Sequence, residues 1–412
     1  MGHSGAKSGH GLYDLGFSLL VFGSFLLPIA WIAPLKASDF PSYYVTAKQI
    51  VSGHAADVYV LEHQAEVGQR FFSEGCLQPF DPPYVLAGTV PLLALSPETG
   101  RRVVGGVLVV LLASGTFLLG SALELSTRQR IALVLLTALS GPAFETIKIG
   151  KPIPIFYFAL SAMLYLLSRG FVRRAPACAA MWVMKPHEAL PFLAFALGSR
   201  RMVFVGIVAA LALLWLAITF PVFGVDGYQA YGRALDRVAQ HPEIVGVATM
   251  PTLKGQLLRL SVTPRMAGAV STVFYLVTVV IVAVFGFAYR TTERWWIVGT
   301  TLGFTVGLVG LPYMHLYDLI IAVPALCLLF VELRGPARRI ERWLVYACVI
   351  SFIQPIYTLV HYDYLLGRGH VVNLHFMALC VLSVISVVAT VRSAPGARHI
   401  GSGGCDQILR AG

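Results

Sequence analysis

The chain has 412 residues, of which 57% are hydrophobic and only 12% charged, with a formal net charge of +11. Soluble domains carry about 25% charged residues, so this composition excludes an ordinary soluble fold and points to a lipid bilayer. The basic residues sit in short clusters between apolar runs, a pattern of membrane topology and not of a nucleic-acid-reading face, so no nucleic acid is expected as a partner.

The expected fold class is an all-α polytopic membrane protein, one transmembrane domain over residues 1–412. The apolar run 12–35 is too long for a signal-peptide core and reads as a retained first span. About ten full spans are expected along the chain. They are placed at 12–34, 103–122, 131–146, 153–168, 203–221, 267–288, 295–311, 318–333, 342–360 and 372–391. Segment 83–96 is too short to cross and reads as a partly inserted hairpin arm. Segment 175–197 is apolar but interrupted at Lys185-Pro186, where proline removes a backbone donor and restricts the residue before it. Two short helices that enter and return from one side are expected there. Six cysteines are scattered without a CxxC pair, so neither a disulfide framework nor a zinc site is supported.

With the N-terminus cytoplasmic, the basic clusters 128/130, 169–174, 200/201, 290–294, 334–342 and 392/398 fall on the cytoplasmic side. The chain is therefore expected in the cell inner membrane, with loops 36–83, 144–152 and 222–266 outside, the first and last capping a site. Lys148 and Lys151 then lie in a short exterior loop where basic residues are disfavoured. They either attend a local anion or snorkel to lipid headgroups.

Several positions invite chemistry. Asp39, in "SDFPSYY", stands just past the first span. It is either a general base for an alcohol or the N-cap of a helix over 40–52. Lys185, inside a 23-residue apolar segment, either binds a lipid-borne phosphate or pairs with Glu188. His315 and Asp318, at i and i+3 in "PYMHLYD", share a helix face. The histidine there binds phosphate, relays a proton, or is simply hydrogen-bonded. Asp81, beside Pro82-Pro83, is a second acidic candidate, and Tyr44 joins the expected substrate contacts. The charges of 222–266, Lys254 among them, read as a solvated loop surface, and "ATMPTLKGQLLRL" as an amphipathic interfacial helix.

Taken in order, "SDFPSYYVTAKQIVSGHAADVYV", "FDPPYVLAGTVPLLALSP", "MWVMKPHEALPFLAFALGSRR", "FGVDGYQAYGRAL" and "LPYMHLYDLIIAVPAL" resemble glycosyltransferase family 87. These are GT-C-type membrane enzymes that include mannosyltransferases of the cell envelope, and the resemblance runs over roughly residues 10–392. It implies transfer of a hexose such as mannose, with inversion, from a polyprenyl-phosphate carrier to a lipid or glycan acceptor outside the membrane. Membrane lipids are then the remaining partners. It also implies Asp39 as catalytic base, with Lys185 and His315 matching the family's broken-helix lysine and late histidine. The chain departs from a Gly-Gln-x-Asn-like motif by reading "KIGKPIP", which keeps Gly150 but puts Lys151 and Ile153 at the other two positions. This puts the donor sugar in doubt. No DxD stands near Asp39, so neither a metal nor another cofactor is expected. The readings that compete are a transporter or lipid flippase, for which a second matching broken helix is missing, and a structural membrane subunit.

Overall fold

The computed structural model describes residues 8–32, 39–72, 76, 79–241, 250–333, 339–353 and 374–393. The described chain is helical, and its one β-type contact is an isolated bridge between Ser140 and Ile353. Among the described residues, five helices are long and apolar enough to cross a membrane: α1 (Ser8–Ile32), α5 (Pro97–Ala122), α11 (Met202–Gln240), α13 (Pro264–Ala288) and the last, α18 (Leu374–Ser393). Along α11 and α13, Leu213, Leu214, Val273, Val280 and Val284 are exposed, as apolar side chains facing lipid must be.

The remaining elements are shorter. After α1 come α2 (Phe40–Val51), a 3₁₀ turn Ala55–Tyr59, α3 (Leu61–Phe71) and α4 (Pro83–Leu86), which continues as 3₁₀ helix Ala87–Ala94. Then follow α6 (Thr127–Ala138), α7 (Gly141–Ile149), α8 (Ile153–Ser168), α9 (Ala175–Ala180), a 3₁₀ turn Met181–Met184 and α10 (Pro186–Gly198). Beyond α11 lie α12 (Leu253–Arg259), α14 (Trp295–Gly303), α15 (Val306–Gly310), a 3₁₀ turn Leu316–Ile321, α16 (Ala322–Glu332) and α17 (Arg339–Ser351).

Several expected boundaries are corrected. The span at 131–146 is two helices, because the Ser140 side chain accepts from Ala143 N–H and Pro142 sits in the first turn, starting α7 anew. Residues 144–149, expected as loop, are therefore helical. The span at 295–311 is interrupted between α14 and α15. Helix α11 runs past its expected end at 221 and bends at Gly224, whose φ of 59° lies in the left-handed region open to glycine. Residues 354–373, which include part of two expected spans and the turn 361–371, lie outside the described residues, as does Arg398.

Close packing of small residues sets where the helices cross. A Cβ at Gly105 would strike Ala30, bringing α5 onto α1, and one at Gly115 would strike the Tyr157 ring of α8. At the crossing of α10 and α13, a Cβ on Gly198 would collide with the Ala283 carbonyl oxygen, and one on Gly286 with that of Phe195. This is the near-backbone approach that small residues permit between helices in lipid.

The two ends of the bundle carry different contacts. At the N-terminal end of α1, Arg130 meets Asp14, Arg201 donates to the Thr292 carbonyl, the Tyr289 hydroxyl donates to the Thr390 carbonyl, and Arg392 meets Glu341. Helices α9 and α10 leave and return to this end, since the Ser199 hydroxyl donates to the Gly286 carbonyl near the close of α13. Lys185 is at their turning point. At the opposite end, Asp39 N–H donates to the Ile149 carbonyl, and Gly100 packs on Phe40. Arg101 and Arg102 open α5 at this second end, a basic pair on the side where the expected topology disfavours one.

Candidate active site

A second, smaller apolar core lies beside the site end of the bundle. It joins Tyr43 of α2, Val58 and Tyr59 of the first 3₁₀ turn, Leu86 of α4, and Phe223, Ala230 and Ala234 of α11. It fixes the elements that surround a cavity of about 980 Å³.

One wall is built where α2 and α7 meet. Asp39 occupies the N-cap position of α2, yet its side chain makes no capping hydrogen bond. Its backbone is tied to the end of α7 instead, through the 2.8 Å bond to the Ile149 carbonyl. Gly150, with φ of 78°, ends α7 in the left-handed conformation typical of a helix C-terminus. The chain turns there, and Lys151 reaches inward. Its Nζ lies 2.6 Å from Asp39 Oδ2 and 3.6 Å from Asp81 Oδ2, and donates to the Tyr43 hydroxyl at 3.3 Å. That hydroxyl donates in turn to Asp81 Oδ2 at 3.0 Å, while the Tyr59 hydroxyl donates to the Asp81 carbonyl at 2.7 Å. Burial alone would lower the Lys151 pKa, but the Asp39 and Asp81 carboxylates outweigh it and hold the ammonium well above its ordinary value. Burial, then the Asp81 charge, keeps the Tyr43 phenol protonated.

The facing wall comes from the α9–α10 turn and the loop after α15. Lys185 Nζ meets Asp318 Oδ1 at 2.6 Å and Glu188 Oε1 at 3.1 Å. The other oxygen of Asp318 accepts the His315 backbone N–H at 2.9 Å. The His315 ring stacks on Tyr317 at 4.9 Å, and its Nε2 lies 3.1 Å from the Tyr313 hydroxyl. Burial lowers the His315 pKa to about 4, so the imidazole is neutral at pH 7 and offers one donor and one acceptor.

Asp39, Asp81, Lys151, Lys185, His315 and Asp318 therefore line one cavity. Two expected residues do not. Lys148 projects away from the lining toward Glu145, at 3.5 Å, and is half exposed. Tyr44 packs among Phe40, Phe71 and Phe72 with Lys48 over its ring. Tyr43 takes the cavity face, because neighbouring residues on a helix point about 100° apart. The pairing of Lys185 with Glu188 is present, and Asp318 adds a partner from a distant segment. Lys254, read as surface, is buried in the cavity wall. Tyr228 and Tyr231 line it as well. The signal available for these three was the amphipathic pattern around them.

The carboxylates of Asp39 and Asp81, far apart in sequence, converge in space on one ammonium. Elsewhere, His54, Asp57 and His63 bring three potential metal-ligand atoms within 4.8 Å of one another, the one such group among the described residues, outside the cavity lining.

No curated protein and no solved structure matches the chain. The family model of glycosyltransferase family 87 matches residues 80–312, which holds Asp81, Lys151, Lys185 and Lys254. Asp39, His315 and Asp318 lie outside that stretch and reach the same cavity by folding. The match takes in more than half of the chain, all of it within a bundle of apolar helices, and the protein belongs to glycosyltransferase family 87.

Proposed function

We propose that this glycosyltransferase is an inverting hexosyltransferase that takes a sugar, mannose or a related hexose, from a polyprenyl-phosphate carrier. The acceptor is a lipid or glycan at the extracytoplasmic face of the inner membrane. The observation that supports this most is the pairing of Asp39 with Lys151 at the floor of a cavity large enough for two substrates. Membrane lipid and the described parts of 36–83 and 222–266 enclose it, so that a prenyl tail stays in the bilayer while the sugar enters the cavity.

In this reading the acceptor hydroxyl attacks the anomeric carbon opposite the phosphate. Asp39 meets Lys151 through Oδ2, and its Oδ1 takes the acceptor proton as the new bond forms. The bond from the anomeric carbon to the phosphate oxygen breaks with its electron pair, releasing polyprenyl phosphate. Lys151 and the Tyr43–Asp81 bond keep the carboxylate in one orientation. Neutral His315 and the Tyr313 hydroxyl hold sugar hydroxyls, and Lys185 fixes the Asp318 carboxylate that carries the His315 backbone. The cation between the two aspartates is already an ammonium, which favours a transfer needing no divalent ion.

The test is sugar transfer from a labelled polyprenyl-phosphate hexose by purified protein. Asp39→Asn is expected to lower turnover by about 10²- to 10⁴-fold, the usual contribution of a positioned base, with donor binding retained. EDTA is expected to leave the wild-type rate unchanged. An unchanged rate in the variant would move the base to Asp81, and no transfer by wild type with any donor would reopen the transporter reading.

A further inference from the structure

The cavity holds two lysines whose charge is already spent. Lys151 faces Asp39 and Asp81, and Lys185 faces Glu188 and Asp318. With two carboxylates to one ammonium, neither cluster has positive charge to spare for an anionic substrate. An incoming phosphate would meet carboxylates beside either lysine.

Lys254 is in the opposite condition. It lines the same cavity, is only 8% exposed, and among the described residues its ammonium pairs with no carboxylate and donates no hydrogen bond. Burial lowers its pKa, and no charge among the described residues counters it. A buried ammonium without a counter-ion is costly, and a cation of this kind aimed into a substrate cavity is relieved when an anion binds. Its position is set by the fold: Thr252 caps α12 by accepting the Gly255 N–H at 3.2 Å, and α12 packs against the first turns of α13.

We propose that Lys254 is the anchoring cation for the substrate phosphate, the contact that Lys151 and Lys185 cannot supply. The assignment deepens the transfer reading above and rests on it for the identity of the phosphate carrier. As the bond from the anomeric carbon to the phosphate oxygen breaks, its electron pair adds one negative charge to the phosphate. An ammonium fixed at that oxygen therefore binds the transition state more strongly than the ground state. Lys254 is thus both a binding residue for the donor and a stabiliser of the leaving group.

Purified full-length protein in detergent is titrated with a polyprenyl monophosphate, with the matching uncharged polyprenol, and with inorganic phosphate. Wild type, Lys254→Gln and Lys254→Arg are compared. The expected result is a loss of polyprenyl-phosphate affinity of about tenfold or more in Lys254→Gln, the value of one charge-assisted contact. Lys254→Arg retains most of the affinity, and polyprenol binds all three alike. Because Lys254 has no partner to lose among the described residues, Lys254→Gln is expected to unfold at the same Tm as wild type or higher. A lysine with a structural role would lower it.

Equal polyprenyl-phosphate affinity in wild type and Lys254→Gln overturns the anchor and leaves the transfer reading standing. Inorganic phosphate bound in a Lys254-dependent way, without affinity for the polyprenyl phosphate, keeps the anion site and overturns the carrier. Binding of neither overturns both.

Discussion

His315 shows how a single side chain links the cavity to pH. Its environment mixes burial and the Lys151 and Lys185 charges, which disfavour protonation, with the Asp318 and Asp39 carboxylates, which favour it. The balance brings its pKa to about 4, against an unfolded value near 6.5. A histidine depressed in this way contributes stability that is fully present above pH 6.5 and is lost as the pH falls toward 4, because only the unfolded chain takes up the proton in that window. Between pH 7 and pH 5 the loss amounts to about 2 kcal/mol. In thermal unfolding in detergent, Tm is expected to fall over this interval, and His315→Gln, which keeps a hydrogen-bonding group but does not titrate, is expected to show a smaller fall. An equal fall in both proteins would locate the acid sensitivity at another group. Part of this residue-level picture was legible in the sequence. Asp39, Lys185 and His315 stood out as polar groups at the edges of, or inside, apolar runs, where they must be explained. What the sequence did not reveal is who meets whom. The Asp39–Lys151–Asp81 cluster joins three segments through chain turns at Gly150 and Pro82, and Tyr43 replaces Tyr44 by a rotation of one helix position.

At the scale of elements, the placement of Lys185 depends on the α9–α10 pair, and that pair depends on how closely α10 lies against α13. Neither helix is long enough to cross a membrane by itself; α10 is held by close contact with α13, and α9 by α8 and α11. Gly198 and Gly286 make that contact possible from both sides. Gly286→Ala puts a methyl group where the Phe195 carbonyl now lies, and either α10 or α13 must shift. Overpacking of this kind costs about 2 kcal/mol. The expected result is a lower Tm together with weaker donor transfer, as Lys185 and Asp318 separate. A variant with wild-type Tm and transfer would mean that the crossing is looser than drawn. The pair was readable from Lys185-Pro186 alone, because proline after a charged residue in an apolar run is incompatible with a straight span. The division of 131–149 and 295–310 was not, since Ser140 and Thr305 interrupt hydropathy little while their hydroxyls redirect hydrogen bonds locally.

For the whole molecule the question is which end faces the cytoplasm. The two ends differ in charge: the N-terminal end of α1 gathers Arg128, Arg130, Arg173, Arg174, Arg200, Arg201, Arg290 and Arg294, while the cavity end gathers paired carboxylates and lysines. The excess of basic residues is the ground on which the proposed orientation puts the first end inside the cell. Arg101 and Arg102 stand against this at the cavity end; both belong to the first turns of α5, Arg102 is offset by Glu98, and Arg101 is buried with no carboxylate partner among the described residues. Labelling of engineered cysteines in intact cells decides the matter. Glu62→Cys in α3 and Arg173→Cys between α8 and α9 both replace exposed residues at opposite ends. Of the described native thiols, Cys76 is the one that lines the cavity, and burial pushes its pKa up to about 11. Its thiolate fraction at pH 7 is on the order of 10⁻⁴, so its background reaction with a membrane-impermeant maleimide is slow. The expected outcome is rapid labelling at position 62 in intact cells and at position 173 only after the membrane is opened. The reverse pattern would put the cavity in the cytoplasm, where a nucleotide-linked sugar is the natural donor, and would remove the lipid-phosphate carrier from the mechanism while leaving the Asp39–Lys151 geometry intact.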